Sequence, residues 1–408
     1  MFAFIPPIAA DNIKMRRTTS SFLFFGLTLI VGAGILLRTD SVSIYPEGAL
    51  PVASSSMGSG EGNVAVRKLV LEAKGKIPMP MDVPSAHASS LVPLSDQHRG
   101  MLAAFWFAGE RESAPDVQIA FSYFDRQTER WAPAKFVVNR HVLGQQLGYG
   151  VRRLGNPVAW LDAGNRIHLF VVGTGLGGWA ASRVIHLVQE GDVHDLENLR
   201  FTPRGALPLS WFWNTSYLVR NAPLPLSTGG MVLPLHFELG IKYPVLAWFS
   251  EEGEFMGARR ISSRRHLLQP TVVAMSGSHW LAYMRTQGGD QKIASVESRD
   301  AGKTWHDLPD LDRPNPDAAV AALAIGGGLL VMAENPSTSS RQELILSHST
   351  DGRSWNTAGI LERGKPGEEY SYPYLTSVGG PLWVTYTDQR KEIAWQRFAV
   401  RHHIPGKD

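Results

Sequence analysis

The chain has 408 residues, 44% of them hydrophobic and 19% charged, with 40 Gly, 26 Pro, 12 Trp and no Cys. The absence of cysteine excludes disulfide frameworks, thiolate zinc sites, iron–sulfur clusters and cysteine nucleophiles, so packing and strand pairing must hold the fold together. The 40 basic and 37 acidic residues nearly cancel, and no run of five or more basic residues occurs, which argues against nucleic-acid binding.

In chain order, residues 1–19 contain Lys14, Arg16 and Arg17 and lead into an apolar stretch at residues 20–38, whose centre, Phe22 to Leu37, carries no charge. That run lies at the lower edge of the roughly 17–25 residues that span a bilayer. The basic residues before it, with Arg38 and Asp40 cancelling after it, predict a cytoplasmic N-terminus and a chain body on the periplasmic or extracellular side. No small-x-small cleavage site follows directly, since Leu36, Leu37 and Arg38 stand there, so a single-pass signal-anchor is expected over a cleaved signal peptide or a soluble helix. Residues 39–66, rich in Ser, Gly and Pro, read as a flexible tether.

From residue 67 to 402 a Gly-containing turn followed by an apolar or alternating strand recurs at Gly100, Gly164, Gly230, Gly277, Gly328 and Gly380. The spacing of roughly 50–65 residues belongs to arrays and propellers. Six such units predict an all-β, six-bladed propeller of four-stranded sheets; a β-sandwich also has many short strands but no reason to repeat at this period. Two units carry a sharper mark: Ser298-Arg-Asp-Ala-Gly-Lys-Thr-Trp305, and Ser349-Thr-Asp-Gly-Arg-Ser-Trp355, shorter by one residue. In each, an Asp can accept from turn amides, a Gly permits φ > 0 and a Trp packs the turn onto its sheet.

These two motifs resemble the Asp-box of sialidases (neuraminidases) and the wider BNR-repeat proteins, over most of residues 80–398. In that group Asp-boxes are structural turns, so the resemblance implies no catalytic role for Asp300 or Asp351. It does imply a pocket in which three arginines hold a substrate carboxylate, a Tyr activated by a Glu is the nucleophile, and an Asp is acid/base. By position, Arg285 and Arg341 match the second and third arginines, and Arg suits bidentate carboxylate recognition. Tyr372, in Glu369-Tyr-Ser-Tyr-Pro-Tyr-Leu375, matches the nucleophile, with Tyr370 as the off-register candidate. A tyrosine needs help for this role because its ordinary pKa is near 10.

Two positions depart from the pattern. His87 stands where the first arginine is expected, and Gln269, before Pro270, stands where the activating Glu is expected. A neutral amide takes no proton, whereas a histidine is suited to acid, base or hydrogen-bonding roles. The loop from Phe107 to Asp116 falls where the family places its acid/base, making Asp116 the nearest match with Glu112 and Glu110 as rivals, and Arg111 a stand-in for the missing arginine. Asn156, Arg220-Asn221, His236-Phe-Glu238 and Trp211-Phe-Trp-Asn214 supply amide, charged and aromatic groups suited to sugars.

Neither a metal nor a cofactor is expected: His402 and His403 are adjacent at the tail, the other histidines are scattered, and no phosphate-binding Gly motif follows a strand. With the apolar run predicting a membrane anchor, the resemblance implies a membrane-anchored glycoside hydrolase of exo-α-sialidase type, acting on terminal acidic or deoxy sugars of extracytoplasmic glycans or polysaccharide. The departures at His87 and Gln269 point to a relative with a different sugar or mechanism. The alternative is a non-catalytic glycan-binding propeller that assists surface polysaccharide processing or export.

Overall fold

A computed structural model describes residues 43–44 and 67–402, apart from 212–213 and 327. The segment at residues 20–38 expected to anchor the chain lies outside the described residues; among those described, no helix is long and apolar enough to cross a membrane. Except for Ser210 and Trp211, the described residues belong to one compact unit within Ser43–Leu209 and Asn214–Asp408.

That unit is a ring of six antiparallel sheets, each a blade of the expected propeller. The innermost strands are Ser85–Pro93, Arg153–Leu161, the interrupted pair Tyr217–Val219 and Leu224–Pro225, then Leu267–Ala274, Ala321–Ala324 and Tyr370–Ser377. The second strands are Gly100–Gly109, Ile167–Thr174, Met231–Phe237, Trp280–Thr286, Leu330–Glu334 and Leu382–Asp388. These second strands are the apolar segments that follow the six Gly-containing turns. They read as near-continuous apolar runs because a propeller strand is covered on both faces by neighbouring blades, which removes the usual alternation.

The ring closes through chain pairing. Arg67–Lys76 forms the outer strand of the sixth blade, antiparallel to Glu392–His402, so the first strand of the domain completes the last sheet. Between the last and first blades, Phe124, Trp131, Trp383 and Trp395 pack mostly edge-to-face with centroids 4.9–6.4 Å apart. Each such pair adds about 0.5–1.5 kcal/mol beyond its buried area. Within the stretch read as a flexible tether, Ser43–Ile44 pairs with Ala258 and Arg259 at the outer edge of the third blade.

Strand direction assigns each connection to an end of the ring. Loops from second to third strands, and those entering the innermost strands, open at one end, called the mouth here. Turns from third to fourth strands lie at the other end. Both Asp-boxes are third-to-fourth turns. Asp300 accepts from the Thr304 amide at 2.8 Å, Gly302 has φ 85°, and Trp305 Nε1 donates to the Gly302 carbonyl at 3.0 Å. Asp351 accepts from the Arg353 and Ser354 amides, each at 2.7 Å. Desolvation works against its charge, yet hydrogen bonds from those two amides hold the Asp351 carboxyl down at about 2. These turns bind themselves and sit at the end away from the mouth.

Candidate active site

The mouth is built from a recurring irregularity. Four innermost strands slip register where they reach it, between His87 and Ser90, Gly155 and Val158, Leu268 and Thr271, and Ser371 and Tyr374. Each slip leaves residues out of the ladder, as β-bulges do. Ala88, Gln269 and Tyr372 there have φ of 53°, 52° and 53°, and Asp317, ahead of the fifth innermost strand, has φ 52°. Gln269 and Tyr372 also precede proline, which disfavours helical backbone of either hand, so both conformations are strained and must be held by their surroundings.

Arg220 and Asn221, in the gap of the third innermost strand, do the holding. Arg220 is 1% exposed. Its guanidinium donates to the carbonyls of Ser89 at 3.1 Å and Pro373 at 3.0 Å, and to that of Tyr372. It also lies 5.3 Å over the Tyr372 ring and 5.9 Å over that of Tyr374. Burial pulls the Arg220 pKa down to about 10, which leaves it charged at neutral pH. Asn221 Nδ2 donates to the carbonyls of Gln269 at 2.9 Å and Pro270 at 3.1 Å. One dipeptide therefore pins the bulges of three other blades.

At the mouth the second-to-third-strand region of most blades contributes a charge: Glu112 from the first, Glu238 from the third, Arg285 from the fourth, Arg341 from the fifth and Arg390 from the sixth. Arg285 Nε donates to Asp317 at 2.8 Å and its Nη1 to Gln269 Oε1 at 3.1 Å. Burial opposes its charge, but Tyr372 and Asp317 beside it raise its pKa, and it hydrogen-bonds the Tyr372 side chain. Arg341 lies 6.0 Å over the Tyr372 ring, pairs with Glu369 at 3.0 Å and donates to the Asp317 carbonyl at 2.8 Å. Arg390 pairs with Glu369 at 3.0 Å and with Glu112. Desolvation works against Glu369, but the hydrogen bond from Arg390 and the nearby Arg341 charge hold its carboxyl down at about 2.

His87 is 1% exposed, packed edge-on against Tyr372 with centroids 4.5 Å apart. Among the described residues neither ring nitrogen has a hydrogen-bond partner, and Nε2 lies 3.9 Å from Glu112 Oε2. Burial, reinforced by Arg390, drives its pKa down to about 3, so the ring is neutral near pH 7. An unfolded chain takes up this proton below about 6.5 whereas the folded chain resists until about 3, so the His87 contribution is intact above pH 6.5 and declines as pH falls through that window. The His87 ring resonance, followed by NMR and assigned by loss in His87→Gln, is expected to stay flat from pH 8 to pH 5; a midpoint near 6.5 would refute this burial.

The other expected residues are placed as follows. Glu112 reaches the cluster, whereas Asp116 is exposed and its Oδ2 accepts from the Glu110 amide at 2.7 Å, closing the loop on itself. Glu110 and Arg111 are exposed, and Arg111 has no ion pair among the described residues, so Arg390 is the third guanidinium that the geometry supplies. Glu238 lies 3.6 Å from His236 and 3.8 Å from Lys242. Asn156 is nearly buried in the second bulge, and Tyr370 packs in the apolar core with Tyr386, away from Tyr372. Asn214 accepts from the Leu209 amide at 3.0 Å and holds a turn, while 212–213 lie outside the described residues. Sequence reading passed over Arg390, Asp317 and Glu369; the available signal was positional, since Arg390 occupies in its blade the loop that Arg341 occupies in the preceding one.

The geometry defines a sialidase-like propeller whose mouth gathers ion-paired arginines and carboxylates. Residues 100–384 match the family model described as the BNR repeat-like domain, and the chain belongs to that family. No curated protein sequence matches it. Among solved structures it is similar to the Hadza microbial sialidase Hz136, at 15% identity over 78% of this chain and 66% of that one, with a TM-score of 0.62. It is also similar to Trypanosoma rangeli sialidase, at 14% identity over 81% and 59%, with a TM-score of 0.59. A protein of unknown function from Dyadobacter fermentans matches at 12% identity over 82% and 99%, with a TM-score of 0.61. At such identities the likeness shows the fold, and this chain spans about three-fifths to two-thirds of the length of the two sialidases.

Proposed function

We propose that this protein is a sialidase-like glycoside hydrolase acting on terminal acidic or deoxy sugars of extracytoplasmic glycans. The observation that carries the reading is the convergence of Arg285 and Arg341, from consecutive blades, on a tyrosine held in strained backbone, with Glu112 and His87 beside it. The substrate carboxylate binds Arg285 and Arg341, with Arg390 completing the clamp. A solved Trypanosoma rangeli sialidase holds sialic acid, a sugar of this kind, which supports the choice.

The Tyr372 oxygen attacks the anomeric carbon, forming the bond to the enzyme as the bond to the leaving oxygen breaks. Its proton passes to Glu112, which donates it to the leaving oxygen, while the neutral His87 ring, packed against Tyr372 and close to Glu112, positions the two. Water then attacks the same carbon, giving a proton to Glu112 as Tyr372 leaves as the phenolate, and return of that proton from Glu112 to the tyrosine oxygen restores both. Surrounding guanidinium groups hold the substrate carboxylate throughout. The charge-free run from Phe22 to Leu37, preceded by Lys14, Arg16 and Arg17, supports attachment to the membrane with the propeller outside.

A second reading, a non-catalytic glycan-binding propeller, is favoured by one observation: Gln269 Oε1 is engaged by Arg285, and the position offers no carboxylate. A panel of aryl glycosides with sialyl, other nonulosonic, uronic, deoxy and neutral sugars separates the two. Turnover confined to acidic or deoxy members supports the hydrolase. Saturable binding of an acidic sugar, lost in Arg285→Ala and unaccompanied by any turnover, supports the binder; neither result overturns both.

A further inference from the structure

Beside the mouth, between the first and second blades, lies a cavity of about 790 Å³, within the roughly 300–1,000 Å³ of clefts that hold small ligands. Its wall is the helix Arg140–Leu147 and the segment that follows it into the second innermost strand. That wall is fixed. Asn139 caps the helix, accepting from the His141 amide at 2.8 Å and donating to Gln118 at 3.1 Å, while Leu143 is buried beneath. Gly148, at φ 74°, ends the helix in the left-handed region that glycine adopts freely. Arg183 sits 5.2 Å over the Tyr149 ring and steadies the rim.

The lining includes Arg140, Arg152 and Arg153 and no carboxylate residue, and none of these three arginines forms an ion pair among the described residues. The contrast with the mouth is direct, because Arg285, Arg341 and Arg390 are each paired with Asp317, Glu369 or Glu112. Pro115, on the loop that carries Glu112, also lines the cavity and places it next to the mouth. Three arginines lining one concavity without internal counter-charge suit an anion, since planar guanidinium forks match carboxylate and sulfate oxygens.

We propose that this cavity is an accessory subsite for an anionic sugar unit, carboxylated or sulfated, of the glycan whose terminal residue enters the mouth. The inference rests on the glycan reading but is tested apart from it. Full-length protein is titrated calorimetrically with an oligogalacturonate, a sulfated oligosaccharide and a neutral malto-oligosaccharide of matched length. At least one anionic chain is expected to bind about tenfold or more tightly than the neutral one, and the two anionic arms identify the charged group. Arg140→Gln with Arg152→Gln removes that preference while hydrolysis of an aryl monosaccharide stays unchanged. Wild-type affinity of the double variant for both anionic chains, or no preference in the wild type, overturns the proposal. If the glycan reading itself fails, Arg285→Ala leaves every ligand's affinity unchanged, yet the Arg140/Arg152 variant still reports on the cavity.

Discussion

Tyr372→Phe lowers kcat on the best acidic-sugar aryl glycoside by about 10²–10⁴-fold, the range that one positioned proton-transfer or nucleophilic group contributes, while KM and thermal stability stay close to wild type. The ring makes the packing contacts: His87 lies against its edge, and Arg220 and Arg341 over its face. Phenylalanine keeps all three. Only the hydroxyl that hydrogen-bonds Arg285 is lost, and Arg285 retains Asp317 and Gln269. Unchanged kcat removes Tyr372 from the chemistry. A rise in KM with constant kcat assigns the hydroxyl to ground-state binding alone.

Arg220→Met is expected to destabilise the fold by about 3–5 kcal/mol, measured as a shift in the urea midpoint at constant slope. A buried charge is expensive to desolvate, and replacing an ion pair with apolar groups is often neutral, but among the described residues Arg220 is not in an ion pair. Its partners are the backbone carbonyls of Ser89, Tyr372 and Pro373, which no substitution of Arg220 removes. Methionine leaves them buried without a donor and releases the strained Tyr372 backbone that they help to hold. Arg220→Lys keeps the charge, but a single ammonium serves three carbonyls poorly, so an intermediate loss is expected. A loss below about 1 kcal/mol for Arg220→Met would mean that water already reaches these carbonyls.

The architecture was legible because its information is local and repeated. A turn Gly followed by an apolar strand needs only its own residues to be recognised, and six copies at a common spacing leave a propeller as the economical solution. The Asp-boxes are likewise self-contained, as the bonds of Asp300 to Thr304 and of Asp351 to Arg353 and Ser354 show. Even the clasp was foreshadowed: with no cysteine, strand pairing or packing had to join the ends, and Arg67–Lys76 on Glu392–His402 does so.

The mouth was only partly legible, for a reason of distance along the chain. Arg285 and Arg341 were visible because each precedes an Asp-box, a local landmark. Arg390 has none, and its value comes from meeting Glu369 and Glu112, the latter 278 residues away. Asp116 and Glu112 share one short loop and look equivalent in sequence; the turn that brings Asp116 back to the Glu110 amide separates them. His87 has an ordinary imidazole in the sequence and a neutral one in the fold, because desolvation by burial is a property of everything packed around it. The sequence by itself determined the ring, its repeat and its structural turns, since those depend on contacts within a blade. Which charges face one another, and which of them remain without a counter-charge, was decided only when six blades brought distant loops to one end of the channel.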